Sequence, residues 1–249
     1  MNKNKKVNAA ILIIGNEILS GRTQDTNTST IALWLNSIGV KVQEVRVIPD
    51  IEDTIIETVN VLKKTNDYLF TTGGIGPTHD DITAQSISKA FKINYEIHKE
   101  AFKILKDYYK PGEFNEGRQK MVWMPKDAKL ILNPTSGAPG FNVENVFCLP
   151  GVPSILKSML GGLTNSIVGG EPILSHTISL RTVESEIANS LTKVQNNNKD
   201  VEIGSYPFFQ AGKLGVSIVV RSEDQSKIDN CNSQILDFVN LKKIEIVDR

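Results

Sequence analysis

Short apolar runs alternate with segments of helical spacing along the first part of the chain. Residues 7–14 are almost continuously apolar, as strands buried on both faces are, and residues 41–48 and 68–72 are rich in β-branched and aromatic residues. Apolar residues recur at helical spacing from Ile31 to Ile38 and from Ile51 to Leu62. Alternation of strands and helices predicts a parallel sheet with right-handed crossovers. We therefore expect an α/β domain with helices on both faces of its sheet.

The middle of the chain continues this pattern with shorter elements. A helix is expected at residues 83–91, directly after a glycine-rich loop, and another at residues 96–109. Residues 129–132 and 145–149 are strand-like, and Pro153 is suited to the start of a further helix. These elements extend the same sheet, which can be wholly parallel or mixed.

The pattern changes after a glycine-punctuated stretch that ends at Pro172, which predicts a domain at residues 1–165 and a second one at residues 171–249. The second segment reads β-α-β-β-α-β. Its predicted strands are residues 173–180, 201–206, 214–221 and 243–247, and its predicted helices are residues 184–194 and 225–241. This order predicts a small α+β domain of the ferredoxin-like kind, and a KH-like arrangement is also compatible.

Charge and composition exclude several classes of protein. The 28 basic and 28 acidic residues cancel, whereas nucleic-acid binders usually carry a lopsided basic face, so nucleic-acid binding is disfavoured. The run Gly212–Gly215 matches the Gly-x-x-Gly loop of KH domains, but between two predicted strands it favours a hairpin turn. Two cysteines, no leader-like start and no apolar run of about 20 residues predict a cytoplasmic protein without a membrane span.

The loop between the third predicted strand and its following helix is the strongest local motif. Residues 71–83 read TTGGIGPTHDDIT. Glycines let backbone N–H groups approach an anion, and the helix that follows adds positive potential, so phosphate is the expected guest. Asp80 and Asp81 would repel a phosphate unless a cation lay between them. The alternative is a tight turn in which one of these aspartates caps the helix.

Two further loops are expected at the same edge of the sheet. Asp50 follows the second strand, where it is either a helix cap or, together with Asp81, a metal ligand. Polar residues also follow the first strand, from Gly15 to Asp25, and residues 26–28 can cap the next helix. Ligands of open parallel sheets bind beyond the carboxyl ends of the strands. The sequence therefore predicts one site formed by three successive strand ends.

These motifs together resemble a known family. The run from Gly15 to Gly21, Asp25-Thr26-Asn27, Val47–Asp50 and residues 71–83 are similar to the molybdopterin-binding domain of molybdenum-cofactor biosynthesis proteins, and more closely to the competence/damage-inducible protein A (CinA) family. Further motifs that resemble the CinA family are Asn133–Phe141, Leu149–Ser154 and Gly204–Pro207. The resemblance covers nearly the whole chain in the same order.

The resemblance implies a molybdopterin-binding-type fold and two activities. CinA-type relatives hydrolyse the diphosphate of ADP-ribose to AMP and ribose 5-phosphate, with a divalent metal (Mg, Mn or Co) and potassium as a helper ion. More distant relatives bind the pterin phosphate and adenylylate it. The positions that align with their metal-binding and transfer carboxylates are Asp50 and Asp81. The resemblance also implies a homo-oligomer, and we expect no amidohydrolase activity because the sequence contains no such domain.

The leading hypothesis is metal-dependent hydrolysis of a small-molecule nucleotide diphosphate, ADP-ribose first. It is not of the Nudix type, because no arginine is followed by glutamate. The alternatives are a pterin-binding or adenylyl-transfer protein and a non-catalytic nucleotide-binding module. Asp81, Asp50 and Asp80 are the candidate catalytic residues, the first two also as metal ligands. The candidate substrate-binding residues are Gly15, Asn16, Glu17, Asn27, Thr72, Gly73, Gly74, Gly76, Pro77, Thr78, Thr83, Ser136, Gly137 and Gly140.

Overall fold

A computed structural model describes residues 6–210 and 212–247. Contacts divide the chain between Gly170 and Glu171 into two compact units. No helix in the described ranges is both long enough and apolar enough to cross a membrane.

The first unit contains eight strands, seven α-helices and one short 3-10 helix (Thr164–Ser166) among its described residues. In chain order they are β1 (Val7–Ile14), α1 (Asn16–Leu19), α2 (Asn27–Ser37), β2 (Val40–Ile48), α3 (Glu52–Thr65), β3 (Tyr68–Thr72), α4 (Thr83–Phe91), β4 (Tyr95–Ile97), α5 (Lys99–Tyr108), α6 (Glu116–Lys120), β5 (Trp123–Pro125), β6 (Lys129–Ile131), β7 (Gly140–Val143), β8 (Val146–Leu149) and α7 (Pro153–Leu163).

Six of these strands form a mixed sheet in the order β2-β1-β3-β8-β7-β6. The first four strands are parallel to one another, and β7 is antiparallel to both β8 and β6. The carboxyl ends of β2, β1, β3 and β8 therefore meet at one edge of the sheet. The predicted α/β class with a mixed sheet is confirmed.

The core explains why β1 is apolar throughout. Successive side chains of a strand point to opposite faces. Ala10, Leu12 and Ile14 belong to a cluster with α3, α4 and α5, whereas the alternate residues of β1 belong to a second cluster with α2 and α7. Phe70 stacks on Phe147 in that second cluster, with ring centroids 5.0 Å apart. Helices thus cover both faces of the sheet, as predicted.

Two predicted boundaries in this unit are wrong. The helix expected at residues 96–109 begins only at Lys99, because Tyr95–Ile97 pairs with Trp123–Pro125 in a separate two-stranded ladder. His98 then caps α5, since its Nδ1 accepts a hydrogen bond from the N–H of Ala101 at 3.3 Å. The loop expected at residues 133–141 ends earlier, because Gly140 already begins β7.

The second unit contains β9 (Leu174–Leu180), α8 (Glu184–Asn197), β10 (Glu202–Gln210), β11 (Lys213–Ser222) and α9 (Gln225–Leu241). Its strands form an antiparallel sheet in the order β10-β11-β9. The strand expected at residues 243–247 is reduced to one bridge between Ile246 and Leu180. With that bridge beside β9, the order is that of a ferredoxin-like split βαβ. Gln210 pairs with Lys213, which confirms the predicted hairpin.

Candidate functional site

The loop after β1 is tied to the end of β2. The N–H of Gly15 donates to the carbonyl of Ile48 at 3.1 Å, and the N–H of Asn16 donates to Oδ2 of Asp50 at 2.8 Å. Asn16 and Glu17 begin the short helix α1 and are exposed. Asp50 does not cap α3, whose N-terminus has no side-chain cap. The helix-cap interpretation of Asp50 is therefore wrong.

The carboxyl group of Asp50 lies in an acidic environment. Burial raises its pKa above the ordinary value, and the negative charges of Glu17 and Asp80 raise the pKa further, against the hydrogen bond from Asn16. Within the described ranges no group of three or more His, Cys, Asp or Glu side chains is placed to hold a metal ion. A cation at this edge would therefore take one or two carboxylates and complete its shell with ligand oxygens and water, as Mg²⁺ does.

We expect Asp50→Asn to raise the free energy of unfolding at pH 7. The folded protein holds the Asp50 proton more tightly than the unfolded chain, whose carboxyl has a pKa of about 3.9. Ionisation therefore lowers the stability of the wild type as pH rises through the raised pKa. The variant does not lose this stability, because asparagine does not ionise. Urea unfolding at several pH values should show a difference in the free energy of unfolding between Asp50→Asn and the wild type. This difference should disappear below about pH 3.9.

Asp53→Asn is the matched control for this change. Asp53 is exposed in the first turn of α3, where a carboxylate interacts favourably with the helix dipole. Its replacement should leave stability unchanged or slightly reduced at pH 7. Equal effects of the two substitutions would contradict the special environment assigned to Asp50.

The glycine loop after β3 is held in place from both sides. The N–H of Gly73 donates to the carbonyl of Leu149 in β8 at 3.2 Å. Thr83, buried at the start of α4, donates from its hydroxyl to the carbonyl of Gly73 at 3.0 Å and from its N–H to the carbonyl of Gly74 at 2.9 Å. Thr72, the last residue of β3, is also buried. The loop therefore has a fixed path between strand and helix.

Three consecutive N–H groups in this loop are available to a ligand. Among the residues that the structure describes, the backbone N–H groups of Gly74, Ile75 and Gly76 donate to no protein acceptor. Gly74 has a positive φ of 66°, and a Cβ there would lie 2.2 Å from Oγ1 of Thr83. Successive free N–H groups next to a helix N-terminus form an anion-binding concavity.

Asp81 closes the turn that follows. Its Oδ2 accepts hydrogen bonds from the N–H of Thr78 at 2.7 Å and from the hydroxyl of Thr78 at 2.5 Å. The carboxylate lies against Gly76, where a Cβ would be 2.7 Å from Oδ2. Pro77 and Asp80 are exposed. No side chain in the described ranges caps α4, so the helix-cap alternative for Asp80 and Asp81 is wrong.

Asn27 joins the loops after three strands. It is only 6% exposed, and its Nδ2 donates to Oγ1 of Thr72 at 2.9 Å and to the carbonyl of Gly151 at 2.8 Å. Its Oδ1 is buried and has no hydrogen-bond partner in the described part of the chain. The predicted cap of α2 at residues 26–28 is wrong, because Oδ1 of Asp25 accepts from the N–H groups of Asn27 and Thr28 instead.

We expect Asn27→Ala to lower the free energy of unfolding by about 2 kcal/mol, since it removes two hydrogen bonds and leaves buried partners unpaired. Urea unfolding would measure the loss. Ser29→Ala is the control, because Ser29 is exposed on the same helix, and it should change stability by less than about 0.5 kcal/mol. A loss for Asn27→Ala as small as for the control would contradict the bridging role.

The turn after β6 is organised by Asn133, which is buried. Its Oδ1 accepts from the N–H groups of Thr135 and Ser136 at 2.9 and 3.0 Å, and its Nδ2 donates to the Ser136 hydroxyl at 2.7 Å. Gly137 has a φ of 75°, and Gly140 begins β7. No hydrogen bond among the described residues connects this turn to the glycine loop.

Sequence reasoning missed two contributors to this region, Asn133 and Lys120, and left a third, Trp123, open between a core residue and a platform for stacking a base. Asn133 belongs to the motif Asn133–Phe141, but no role was predicted for it. An Asn three residues before a Ser is nevertheless a recognisable turn signal. Lys120 contacts the carbonyl of Thr78 through its Nζ, and Trp123 lies beside Tyr95 with ring centroids 5.5 Å apart. Both contacts join residues far apart in the chain, so no local pattern could reveal them.

Comparison with known proteins identifies relatives of both units. Residues 10–176 match the family model described as a probable molybdopterin binding domain. Residues 172–248 match the model of the middle domain of FAD synthase.

Two archaeal proteins are similar to most of the chain. A protein of Archaeoglobus fulgidus is 34% identical over 234 residues, which cover 94% of this chain and 98% of that protein. A protein of Caldivirga maquilingensis is 35% identical over 208 residues, or 80% of this chain and 81% of the relative. Among solved structures, the protein CinA with unknown function from Thermoplasma acidophilum is 32% identical with a TM-score of 0.61, covering 65% of this chain and 99% of that chain.

Proposed function

The chain belongs to the molybdopterin-binding domain family, of the CinA type, and we propose that it binds a phosphate-bearing heterocyclic ligand at the strand edge and transfers a phosphoryl or nucleotidyl group there. The observation that carries this proposal is the row of free N–H groups at Gly74, Ile75 and Gly76. Such donors match the non-bridging oxygens of a phosphate and stabilise the charge that grows on them during transfer.

A divalent cation fits the acidic side of this site. Asp50 is repelled by Glu17 and Asp80, and a bound cation would relieve this repulsion. Asp50 and Asp81 would hold the ion, which is Mg²⁺, Mn²⁺ or Co²⁺ in this proposal, with potassium as a helper ion. When bound, it would neutralise charge on the phosphate oxygens. Thr78 fixes the orientation of the Asp81 carboxylate by two hydrogen bonds to Oδ2, and Oδ1 would be the oxygen that contacts the ion.

The first candidate reaction is adenylyl transfer to molybdopterin, favoured by the match of residues 10–176 to the molybdopterin-binding model. An oxygen of the pterin phosphate would attack the α-phosphorus of ATP, and pyrophosphate would leave with the electrons of the broken P–O bond. The N–H groups of the glycine loop would bind the phosphate oxygens and hold the reacting groups in line. The buried Oδ1 of Asn27 would accept a hydrogen bond from a ligand hydroxyl.

The second candidate reaction is hydrolysis of ADP-ribose, or a related nucleotide diphosphate, to AMP and ribose 5-phosphate. The acidic surroundings of Asp50 favour it, because a cation held there would neutralise the two adjacent phosphates of such a substrate. Water would attack one phosphorus of the diphosphate, and the oxygen that bridges the two phosphorus atoms would leave with the other phosphate. The same row of N–H donors would stabilise the transition state.

One set of incubations tests both reactions. Purified protein is mixed with ADP-ribose, or with molybdopterin and ATP, with and without Mg²⁺, Mn²⁺ or Co²⁺, and products are separated by chromatography. AMP from ADP-ribose supports the hydrolase, and pyrophosphate with adenylylated molybdopterin supports the transferase. If neither product forms and calorimetry shows no binding of ADP-ribose, ATP or molybdopterin, the proposal is wrong.

A further inference from the structure

An open groove with an aromatic wall lies beside the glycine loop. Its volume is about 440 Å³, and it is lined by Gln85, Tyr95, Glu116, Gln119, Lys120 and Trp123. Tyr95 and Trp123 stand on the two paired strands β4 and β5, with their rings inclined at 42°. Trp123 is 38% exposed. A large aromatic side chain is thus presented at an open, polar-rimmed surface.

The groove adjoins the glycine loop that carries the proposed phosphate site. A smaller cavity shares Tyr95, Lys120 and Trp123 with the groove and is also lined by Gly76 and Asp81. Lys120 is anchored to the glycine loop through the carbonyl of Thr78. The side chains that line the groove therefore also border the glycine loop.

We infer that this groove binds the fused heteroaromatic ring, a purine or a pterin, of the ligand whose phosphates occupy the glycine loop. The inference rests on the proposed function and adds a subsite to it. Phosphate alone makes no use of an exposed indole, whereas planar ring systems gain affinity by stacking on one. The polar side chains at the rim, Gln85 and Glu116, supply an amide and a carboxylate for the edge of such a ring.

Calorimetric titration tests the inference with two ring-bearing probes, ADP-ribose and neopterin triphosphate, and one probe without a ring, ribose 5-phosphate. Trp123→Leu keeps an apolar side chain against Tyr95 but removes the indole face, and Trp123→Phe retains an aromatic face. We expect Trp123→Leu to weaken binding of the ring-bearing probe for which the wild type has the higher affinity, by about 10- to 100-fold. Loss of one stacked base has an effect of this size. Trp123→Phe should recover most of this loss, and ribose 5-phosphate should bind both variants like the wild type.

Trp34→Phe is the matched control. Trp34 is the other of the two tryptophans, and its ring packs edge-on against Phe70 in the core, with ring centroids 5.7 Å apart. This variant should bind all three probes like the wild type, and Trp123, then the sole tryptophan, should show quenched fluorescence with the ring-bearing probe. The inference is overturned if Trp123→Leu changes no affinity, or weakens ribose 5-phosphate equally. If no probe binds the wild type, the proposed function fails and the subsite fails with it.

Discussion

Gly73→Ala is expected to abolish phosphate-ligand binding and to lower the free energy of unfolding by about 3 kcal/mol or more. Gly73 has a φ of 102°, a conformation that L side chains rarely adopt. A Cβ at this position would lie 2.1 Å from the carbonyl oxygen of Ile14. That oxygen belongs to the backbone at the end of β1, in the middle of the sheet, so the clash can be relieved only by moving the loop or the strand.

Urea unfolding and calorimetric titration with ADP-ribose and neopterin triphosphate would measure the two effects. Gly162→Ala is the control, since Gly162 lies in helix α7 and a Cβ there meets nothing within 4 Å. Because alanine is the better helix former, this variant should be as stable as the wild type or more stable by up to about 1 kcal/mol. Wild-type binding by Gly73→Ala would show that the loop path is not the anion cradle that we propose.

The parallel part of the fold could be predicted because its strands carry their signal locally. The predicted bounds of the first strand, Val7–Ile14, and of the third, Tyr68–Thr72, match the structure. Both strands are buried on both faces, and their signatures are the almost continuous apolar run of the first and the β-branched and aromatic residues of the third. Helix α4 was equally predictable, since it begins where the glycine loop ends.

The short elements could not be predicted because tertiary pairing decides them. Tyr95–Ile97 is three residues long and becomes a strand only through its pairing with Trp123–Pro125, on the far side of two helices. The site shows the same limit. Asp50 was expected at the right edge of the sheet from strand order, but its hydrogen bond to Asn16 and its repulsion by Glu17 arise between separate loops.

Asp81→Asn is expected to reduce turnover at least about 100-fold while the protein remains folded. The asparagine side chain has nearly the same shape and can still accept a hydrogen bond from Thr78, so the turn should persist. It lacks the negative charge that we propose to hold the divalent cation. The measurements are the rate of product formation from ADP-ribose or from molybdopterin and ATP, and the rise in melting temperature on addition of Mn²⁺ with ADP-ribose.

The position of the charge distinguishes this role from a general electrostatic effect. Asp53→Asn removes one carboxylate from an exposed helix position and should keep both the turnover and the Mn²⁺-dependent rise in melting temperature. The turnover of Asp80→Asn and its Mn²⁺-dependent rise in melting temperature should lie between those of Asp81→Asn and Asp53→Asn. Asp80 contributes to the negative field at Asp50 but is itself exposed. If Asp81→Asn retains full turnover, Asp81 only fastens the turn through Thr78, and the cation must be held elsewhere along this edge of the sheet.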